Sequence, residues 1–79
     1  MLTKDDFKIL FGKRLEFLRT QQDLSYRSMA ERCDVDSSDI SKIEKGKVDI
    51  QLKTILELAK GLNKHPKELF DFEIDFDEN

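Results

Sequence analysis

The segment from Leu24 to Gly46 constrains the fold of this chain more than any other, because it predicts two short helices joined by a tight turn. Ser25 can cap the first of these helices, and Asp36 can cap the second. Asp34 lies at the break between them. Gly46 follows the second helix, at a position where a residue free to adopt positive φ ends a helix. The sequence therefore indicates a closely spaced pair of helices near the middle of the chain.

Apolar side chains recur at helical spacing along most of the chain and predict an all-α fold. The central pair of helices spans about residues 26–33 and 37–45. A longer helix over about 4–21 precedes the pair, and a fourth helix over about 52–62 follows it. Pro66 then begins a fifth helix, because proline is tolerated at the first helical position. We expect the buried side chains to be Phe7, Leu10, Leu15, Leu18, Leu24, Met29, Ala30, Val35, Ile40, Ile43, Leu52, Ile55, Leu56, Ala59, Leu62 and Leu69.

The chain has 79 residues, enough for one domain with one modest core. Its net charge is −3, but the acidic groups are unevenly distributed. Residues 71–79 contain five acidic residues and no basic one, which leaves 14 basic against 12 acidic residues in 1–70. We therefore predict a mildly basic folded domain over residues 1–70 and an acidic tail over residues 71–79. The folded domain is much less basic than a strongly basic nucleic-acid-binding domain.

Several functional classes are disfavoured by what the chain lacks. No apolar run approaches the roughly 20 residues that span a membrane, and no secretion signal precedes the first charged residues. The only cysteine, Cys33, cannot form an internal disulfide, so we expect a reducing, cytoplasmic environment. Cys33 and the only histidine, His65, are too few for a tetrahedral zinc site and lie on different predicted helices. We predict no enzymatic activity, no metal or other cofactor, and no small-molecule substrate.

The end of the chain has a different pattern, because residues 70–77 alternate apolar and acidic side chains with a period of two. This period is typical of a β-strand. A lone strand cannot satisfy its backbone hydrogen-bonding groups, and the apolar side chains of this segment also need cover. The segment is either a frayed acidic tail or a strand that pairs with the same strand of a second subunit, which we prefer. The predicted dimerisation residues are Phe70, Phe72, Ile74 and Phe76.

A series of short motifs runs in order through residues 11–70. They are Leu18-Arg19, Leu24-Ser25, Met29-Ala30, Val35, Ile40-Ser41-Lys42-Ile43-Glu44-Lys45-Gly46-Lys47, Leu52, Thr54, Leu58-Ala59-Lys60, Leu62 and Glu68-Leu69-Phe70. Together these motifs resemble the helix-turn-helix domain of the lambda-repressor and Cro class, the XRE-like family of small DNA-binding regulators. The resemblance implies that residues 1–70 form a lambda-repressor-like DNA-binding domain, with its helix-turn-helix at about 25–45. It also implies a sequence-specific transcription regulator of the repressor type, which binds an inverted repeat in double-stranded DNA as a homodimer.

The resemblance further implies roles for individual side chains. The second helix of the central pair would read bases in the major groove, where lysine donates to guanine and serine discriminates weakly. The base-reading residues so implied are Ser37, Ser38, Ser41 and Lys42, and the phosphate-binding residues are Ser25, Tyr26, Arg27, Lys45 and Lys47. In this family an arginine near the end of the first helix pairs with a glutamate at the end of the third. A structural ion pair between Arg19 and Glu44 follows from that pattern.

Four residues depart from the family pattern. Tyr26 stands where the family most often has glutamine, and Asp34 replaces the usual turn glycine, whose conformation it would have to tolerate. Asp36 and Asp39 place two acidic groups at the groove-facing end of the third helix, where they would repel phosphates or accept from cytosine. These acidic groups favour a second interpretation, in which the same fold binds another protein and has weak or no affinity for DNA.

Overall fold

The computed structural model of the chain describes residues 2–75 and contains four α-helices followed by a short 3-10 helix. The α-helices are α1 (Lys4–Gln21), α2 (Tyr26–Ala30), α3 (Ser37–Glu44) and α4 (Leu52–Leu62), and the 3-10 helix is Pro66–Phe70. In this part of the chain no helix is both long enough and apolar enough to cross a membrane. The all-α prediction is confirmed, and α2 ends three residues earlier than expected.

The prediction of a fifth α-helix is wrong, because the residues after Pro66 form a 3-10 helix instead. The Glu68 carbonyl, which a continuing helix would use, accepts a hydrogen bond of 2.8 Å from Arg14 Nε. The chain then turns at Phe70, whose carbonyl accepts from the Phe72 N–H at 2.9 Å. Residues 71–75 contain no strand, so the predicted β-tail is also wrong for them. Phe76 and the rest of the tail lie outside the described residues.

The N-terminal ends of the helices are set by local hydrogen bonds. The Thr3 hydroxyl accepts from the Asp6 N–H at 3.0 Å, and the Thr3 N–H donates to the Asp6 carboxylate at 3.1 Å, which together form a capping box. The hydrogen bond that the Asp6 carboxylate accepts from the Thr3 N–H is the main cause that lowers the pKa of Asp6, and the Thr3 side chain adds to it. Ser25 caps α2 by accepting from the Ser28 N–H at 3.0 Å. Asp36 occupies the N-cap position of α3, but its carboxylate makes no capping hydrogen bond.

Three of the helices are followed by a residue in the left-handed backbone conformation. Gly46 and Asn63, at φ values of 70° and 54°, follow α3 and α4 as their sequence positions predict. Asp23, at a φ of 57°, plays the same part after α1. Asp34 is not in the left-handed region, so the expectation that it adopts the usual glycine conformation is wrong. Its backbone N–H instead donates to Glu57 of α4 at 2.9 Å, which anchors the turn between α2 and α3.

A single apolar core joins all of these elements. Most of the predicted core is confirmed, and the structure adds Phe11 and Leu58. The buried apolar residues are Phe11, Leu15, Leu18, Leu24, Met29, Ile40, Ile43, Leu58, Ala59, Leu62 and Leu69. Four predicted core residues are only half-buried, namely Leu10, Ala30, Val35 and Ile55.

Three predicted core residues are exposed, which corrects the buried face of α4 in particular. Leu52 and Leu56 are 84% and 52% exposed, and Phe7 of α1 is also exposed. α4 turns Leu58 toward the core, and this rotation directs Leu52 and Leu56 to the outside. Periodicity alone could not choose this rotation, because apolar residues occupy more than one face of α4.

A close approach between helices places α1 across the end of α3. At Gly12 a Cβ atom would overlap the backbone carbonyls of Ile43 and Glu44, so only glycine allows this crossing. The last turn of α3 is therefore held directly against the longest helix of the domain. This contact leaves the opposite face of α3 turned away from the core.

Candidate nucleic-acid interface

The face of α3 that points away from the core carries the side chains predicted to read bases. Ile40 and Ile43 are buried on one side of the helix. Ser38 and Lys42 are one helical turn apart and lie on the opposite side, since successive residues of a helix turn by about 100°. Ser37 is also exposed, whereas Ser41 is half-buried. The exposed surface is thus small and polar enough to enter a DNA major groove.

Cationic side chains are present near both ends of this surface. Lys45 and Lys47 directly follow α3, and Arg27 lies in the first turn of α2 next to the capping residue Ser25. These three cationic side chains and the side chain of Ser25 are all exposed. Among residues 2–75, none of the three cations forms an ion pair. Their charges are therefore available to an anionic partner.

One flank of α3 is acidic. Asp36 and Asp39 lie on it, and they line a shallow cleft together with Asp34 and with Asp49 from the loop before α4. Within the described part of the chain, no group of His, Cys, Asp or Glu residues is arranged to hold a metal ion. The carboxylates thus give one side of α3 a charge that opposes phosphate.

Arg19 and Glu44 form a bidentate ion pair that anchors the end of α3. Arg19 Nε donates to Glu44 Oε2 at 2.6 Å, and Arg19 Nη2 donates to Glu44 Oε1 at 3.0 Å. The two side chains are only 10% and 2% exposed. The hydrogen bonds to Glu44 raise the pKa of Arg19 above its ordinary value. Arg19 Nη1 also donates to the Leu24 carbonyl at 2.7 Å, so one guanidinium joins α1, the start of α2 and the end of α3.

Tyr26 lies next to this ion pair. Its ring faces the Arg19 guanidinium, with 4.1 Å between Arg19 Cζ and the ring centroid, and the residue is half-buried. The sequence predicted Tyr26 only as a phosphate-binding residue. The contact with Arg19 was missed because the two residues belong to different helices and only the fold brings them together.

A family model described as helix-turn-helix, HTH_3, matches residues 15–69. This span runs from the second half of α1 to the 3-10 helix and includes all of α2 and α3. The chain belongs to the helix-turn-helix family. The resemblance found in the sequence is thereby confirmed, and the protein is a DNA-binding transcription regulator.

Individual relatives of this helix-turn-helix protein have closely similar lengths. Control protein C.MunI from Mycoplasma sp is 39% identical over 67 residues, which cover 84% of this chain and 90% of that protein. Control protein C.BamHI from Bacillus amyloliquefaciens is 32% identical over 69 residues, covering 86% of this chain and 85% of that protein. The crystal structure of the restriction-modification controller protein C.AhdI from Aeromonas hydrophila superposes with a TM-score of 0.77 and 38% identity, covering 80% of this chain and 96% of that one.

The C-terminal turn of the helix-turn-helix protein packs on its own α1. Phe70 lies 5.2 Å from Phe11 and 6.4 Å from Phe7, measured between ring centroids, and Phe72 lies 5.8 Å from Phe7. The cover that the sequence analysis required for the apolar side of the tail is therefore supplied for Phe72 by α1 of the same chain. Ile74 is half-buried, and Phe76 lies outside the described residues.

Arg14 holds the same turn in place, a role that the sequence did not predict. Besides its hydrogen bond to the Glu68 carbonyl, the guanidinium lies 3.5 Å from the Glu68 carboxylate and 3.6 Å from that of Asp71. No local signal announces these contacts, because Arg14 and Glu68 are 54 residues apart. The first acidic residue of the tail thus neutralises a cation of the folded domain.

The cysteine and the histidine lie in separate surroundings. Cys33 is half-buried, and its thiol donates to the Met29 carbonyl at 3.4 Å. Burial raises the pKa of this thiol, which disfavours the reactive thiolate. His65 is exposed at the N-terminal end of the 3-10 helix. Cys33 thus contributes to packing, and His65 occupies the N-cap position without a side-chain capping hydrogen bond.

Proposed function

We propose that this helix-turn-helix protein is the controller of a restriction–modification system and represses transcription by occupying an inverted-repeat operator as a homodimer. Support comes from three relatives named as control or controller proteins, each similar to this chain over four-fifths or more of both lengths. The structural observation that carries the proposal is the outward face of α3, whose polar side chains lie between cations that form no ion pair with residues 2–75. Such a regulator needs no catalytic activity, because binding alone blocks a promoter.

On the DNA, α3 would lie in the major groove. Ser38 and Lys42 would then face the base edges, with Ser37 and Ser41 beside them, and Lys42 would donate to guanine O6 or N7. The phosphates would be held at two places. Ser25 and Arg27 would meet one backbone at the start of α2, where free N–H groups favour an anion, whereas the other backbone would be met by Lys45 and Lys47.

The exposed face of α4 is our candidate for the dimer interface. Leu52 and Leu56 are one turn apart on this face, and both are largely exposed. A two-fold axis beside α4 would pack this apolar patch against its own copy, which gives a closed dimer. The dimer would present two copies of α3 to half-sites about one helical turn apart, roughly 34–36 Å. Pairing of the tails through Ile74 and Phe76 is the alternative.

The acidic flank of α3 supports a second candidate function. Asp36, Asp39 and Asp49 would suit a basic protein surface better than a phosphate backbone. In that case the fold would bind a protein partner and would have little affinity for DNA. Binding to DNA at low salt separates the two candidates, because contacts with phosphates weaken steeply as salt rises.

A selection from random duplex DNA tests the proposal directly. The helix-turn-helix protein should enrich one inverted repeat, and log Kd measured on that repeat should rise linearly with log salt. Lys67→Ala is a matched control for loss of one lysine charge away from the proposed DNA contacts. Lys67 is an exposed lysine on the 3-10 helix, which packs against α1 and α4. Failure to enrich any sequence, together with no retention of random duplex at low salt, would favour the protein-binding function.

A further inference from the structure

The ring of Tyr26 covers a guanidinium whose edges are already occupied. Arg19 donates through Nε and Nη2 to Glu44 and through Nη1 to the Leu24 carbonyl. These hydrogen bonds lie in the guanidinium plane and leave its two faces unrestrained. The Tyr26 ring lies 4.1 Å above one of those faces, so it opposes tilting of the guanidinium out of the hydrogen-bonding plane.

The two groups that Arg19 holds have different places at the proposed interface. The Leu24 carbonyl directly precedes Ser25, where the start of α2 would meet a phosphate. Glu44 is the last residue of α3, which would read the bases. Arg19 therefore sets the distance between the start of α2, which would hold a phosphate, and α3, which would enter the groove. Small errors in this spacing would misplace α3 whenever the phosphate is bound.

We propose that Tyr26 is a positioning residue for DNA binding, acting through its ring on Arg19 rather than through a hydroxyl contact with a phosphate. The inference rests on the proposed function, since it concerns how tightly the operator is bound. This role also gives a reason for tyrosine at position 26, where the family most often has glutamine, because an amide side chain has no aromatic face to stack on a guanidinium.

Substitutions that separate the ring from the hydroxyl test the inference. Operator affinity is measured over a range of salt concentrations for the full-length wild type, Tyr26→Phe and Tyr26→Leu. Tyr26→Phe keeps the ring and should bind within about twofold of wild type. Tyr26→Leu should bind about five- to tenfold more weakly with an unchanged salt slope, because the fold-change reflects geometry while the protein neutralises the same number of phosphates.

Arg27→Ala is the matched control, since Arg27 is the exposed neighbour proposed to touch a phosphate. It should lower the salt slope by about 0.9 for each phosphate that the protein no longer neutralises. A phosphate-binding hydroxyl would make Tyr26→Phe bind about as weakly as Tyr26→Leu, and that result would overturn the inference. The salt slope would stay unchanged in that case, because a neutral hydroxyl neutralises no phosphate. If Tyr26→Leu does not fold, Tyr26→Phe alone still decides between ring and hydroxyl.

A second measurement needs no DNA and keeps this inference distinct from the proposed function. Thermal unfolding of Tyr26→Leu, Glu44→Gln and the double variant should give a smaller combined loss than the sum of the two single losses. Strictly additive losses would show that the ring does not support the ion pair.

Tyr26 is the only tyrosine, and the chain has no tryptophan, so the near-ultraviolet dichroism of wild type and Arg19→Met also reports on the contact between Tyr26 and Arg19. An unchanged tyrosine band in Arg19→Met would count against it. If wild type binds no duplex, the proposed function fails while these two results still stand.

Discussion

Arg19 and Glu44, which are 25 residues apart, connect α1 to the last residue of α3 through two hydrogen bonds in a nearly solvent-free site. The net stabilisation by such a buried pair is often small, because both charges lose their hydration. Removal of one partner is different, since it leaves the other charge buried and unpaired. The pair therefore matters most for where α3 is held.

Arg19→Ala should lower the free energy of unfolding by about 3–5 kcal/mol, because Glu44 would then be an unpaired charge in a buried site. Glu44→Gln should cost less, on the order of 1–3 kcal/mol, since an amide still accepts one hydrogen bond from the guanidinium. Denaturant unfolding of the two variants and of the double variant measures both values. Additive losses would contradict the interaction.

Lys42→Ala should change the preferred base at one operator position, at a cost of about 1–3 kcal/mol for the wild-type operator. Lys47→Ala should instead weaken binding to all sequences about equally and reduce the salt slope, because a phosphate contact carries no sequence information. Repeating the selection from random duplex DNA with each variant distinguishes the two effects. A uniform loss for Lys42→Ala, with the preference unchanged, would rule out base reading by this lysine.

Replacing both Leu52 and Leu56 by serine should convert the protein to a monomer with weaker operator binding. The fold should survive, because both side chains are exposed within one chain. Analytical ultracentrifugation gives the association state, and thermal unfolding at low protein concentration checks the fold. A dimer of unchanged strength would show that this face of α4 is not the interface.

Two truncations test the alternative in which the tails pair. Deletion of residues 73–79 leaves Phe72 on Phe7 and Asp71 beside Arg14, so it should lower the melting temperature less than deletion of residues 71–79 does. Deletion of residues 71–79 removes both interactions and should cost about 1–2 kcal/mol of stability, less than the full burial of a phenylalanine. A monomeric 73–79 deletion, with the serine variant still dimeric, would establish pairing through the tails.

The pKa of Glu57 predicts a loss of stability in acid. The Asp34 N–H and the Lys60 ammonium lower this pKa below its ordinary value of 4.5. A carboxylate whose pKa is lowered by folding stabilises the protein fully above its unfolded-state pKa, and this stabilisation is lost as the pH falls through the folded-state value. The melting temperature of wild type should therefore fall more steeply below about pH 4.5 than that of Glu57→Gln. Parallel curves for the two proteins would contradict this linkage.

The positions of the helix ends are largely local and were predictable. Thr3, Ser25, Gly46 and Asn63 act through hydrogen bonds to residues at most five positions away or through their own φ value. The motifs of α3 were equally readable, since Ile40 and Ile43 mark a single narrow apolar face on a short helix. Those local signals were enough to predict the family and the residues on the outward surface of α3.

Tertiary packing decided the features that join distant parts of the chain. α4 has apolar residues on more than one face, and only the packing of Leu58 against the core directed Leu52 and Leu56 outward. The ring of Tyr26 and the guanidinium of Arg14 found partners on other helices, which no spacing along the chain specifies. Sequence by itself determined where most of the α-helices begin and end, because those interactions span only a few residues. Their rotation and their contacts emerged only from the three-dimensional fold, because the free energy of burial depends on all surrounding elements at once.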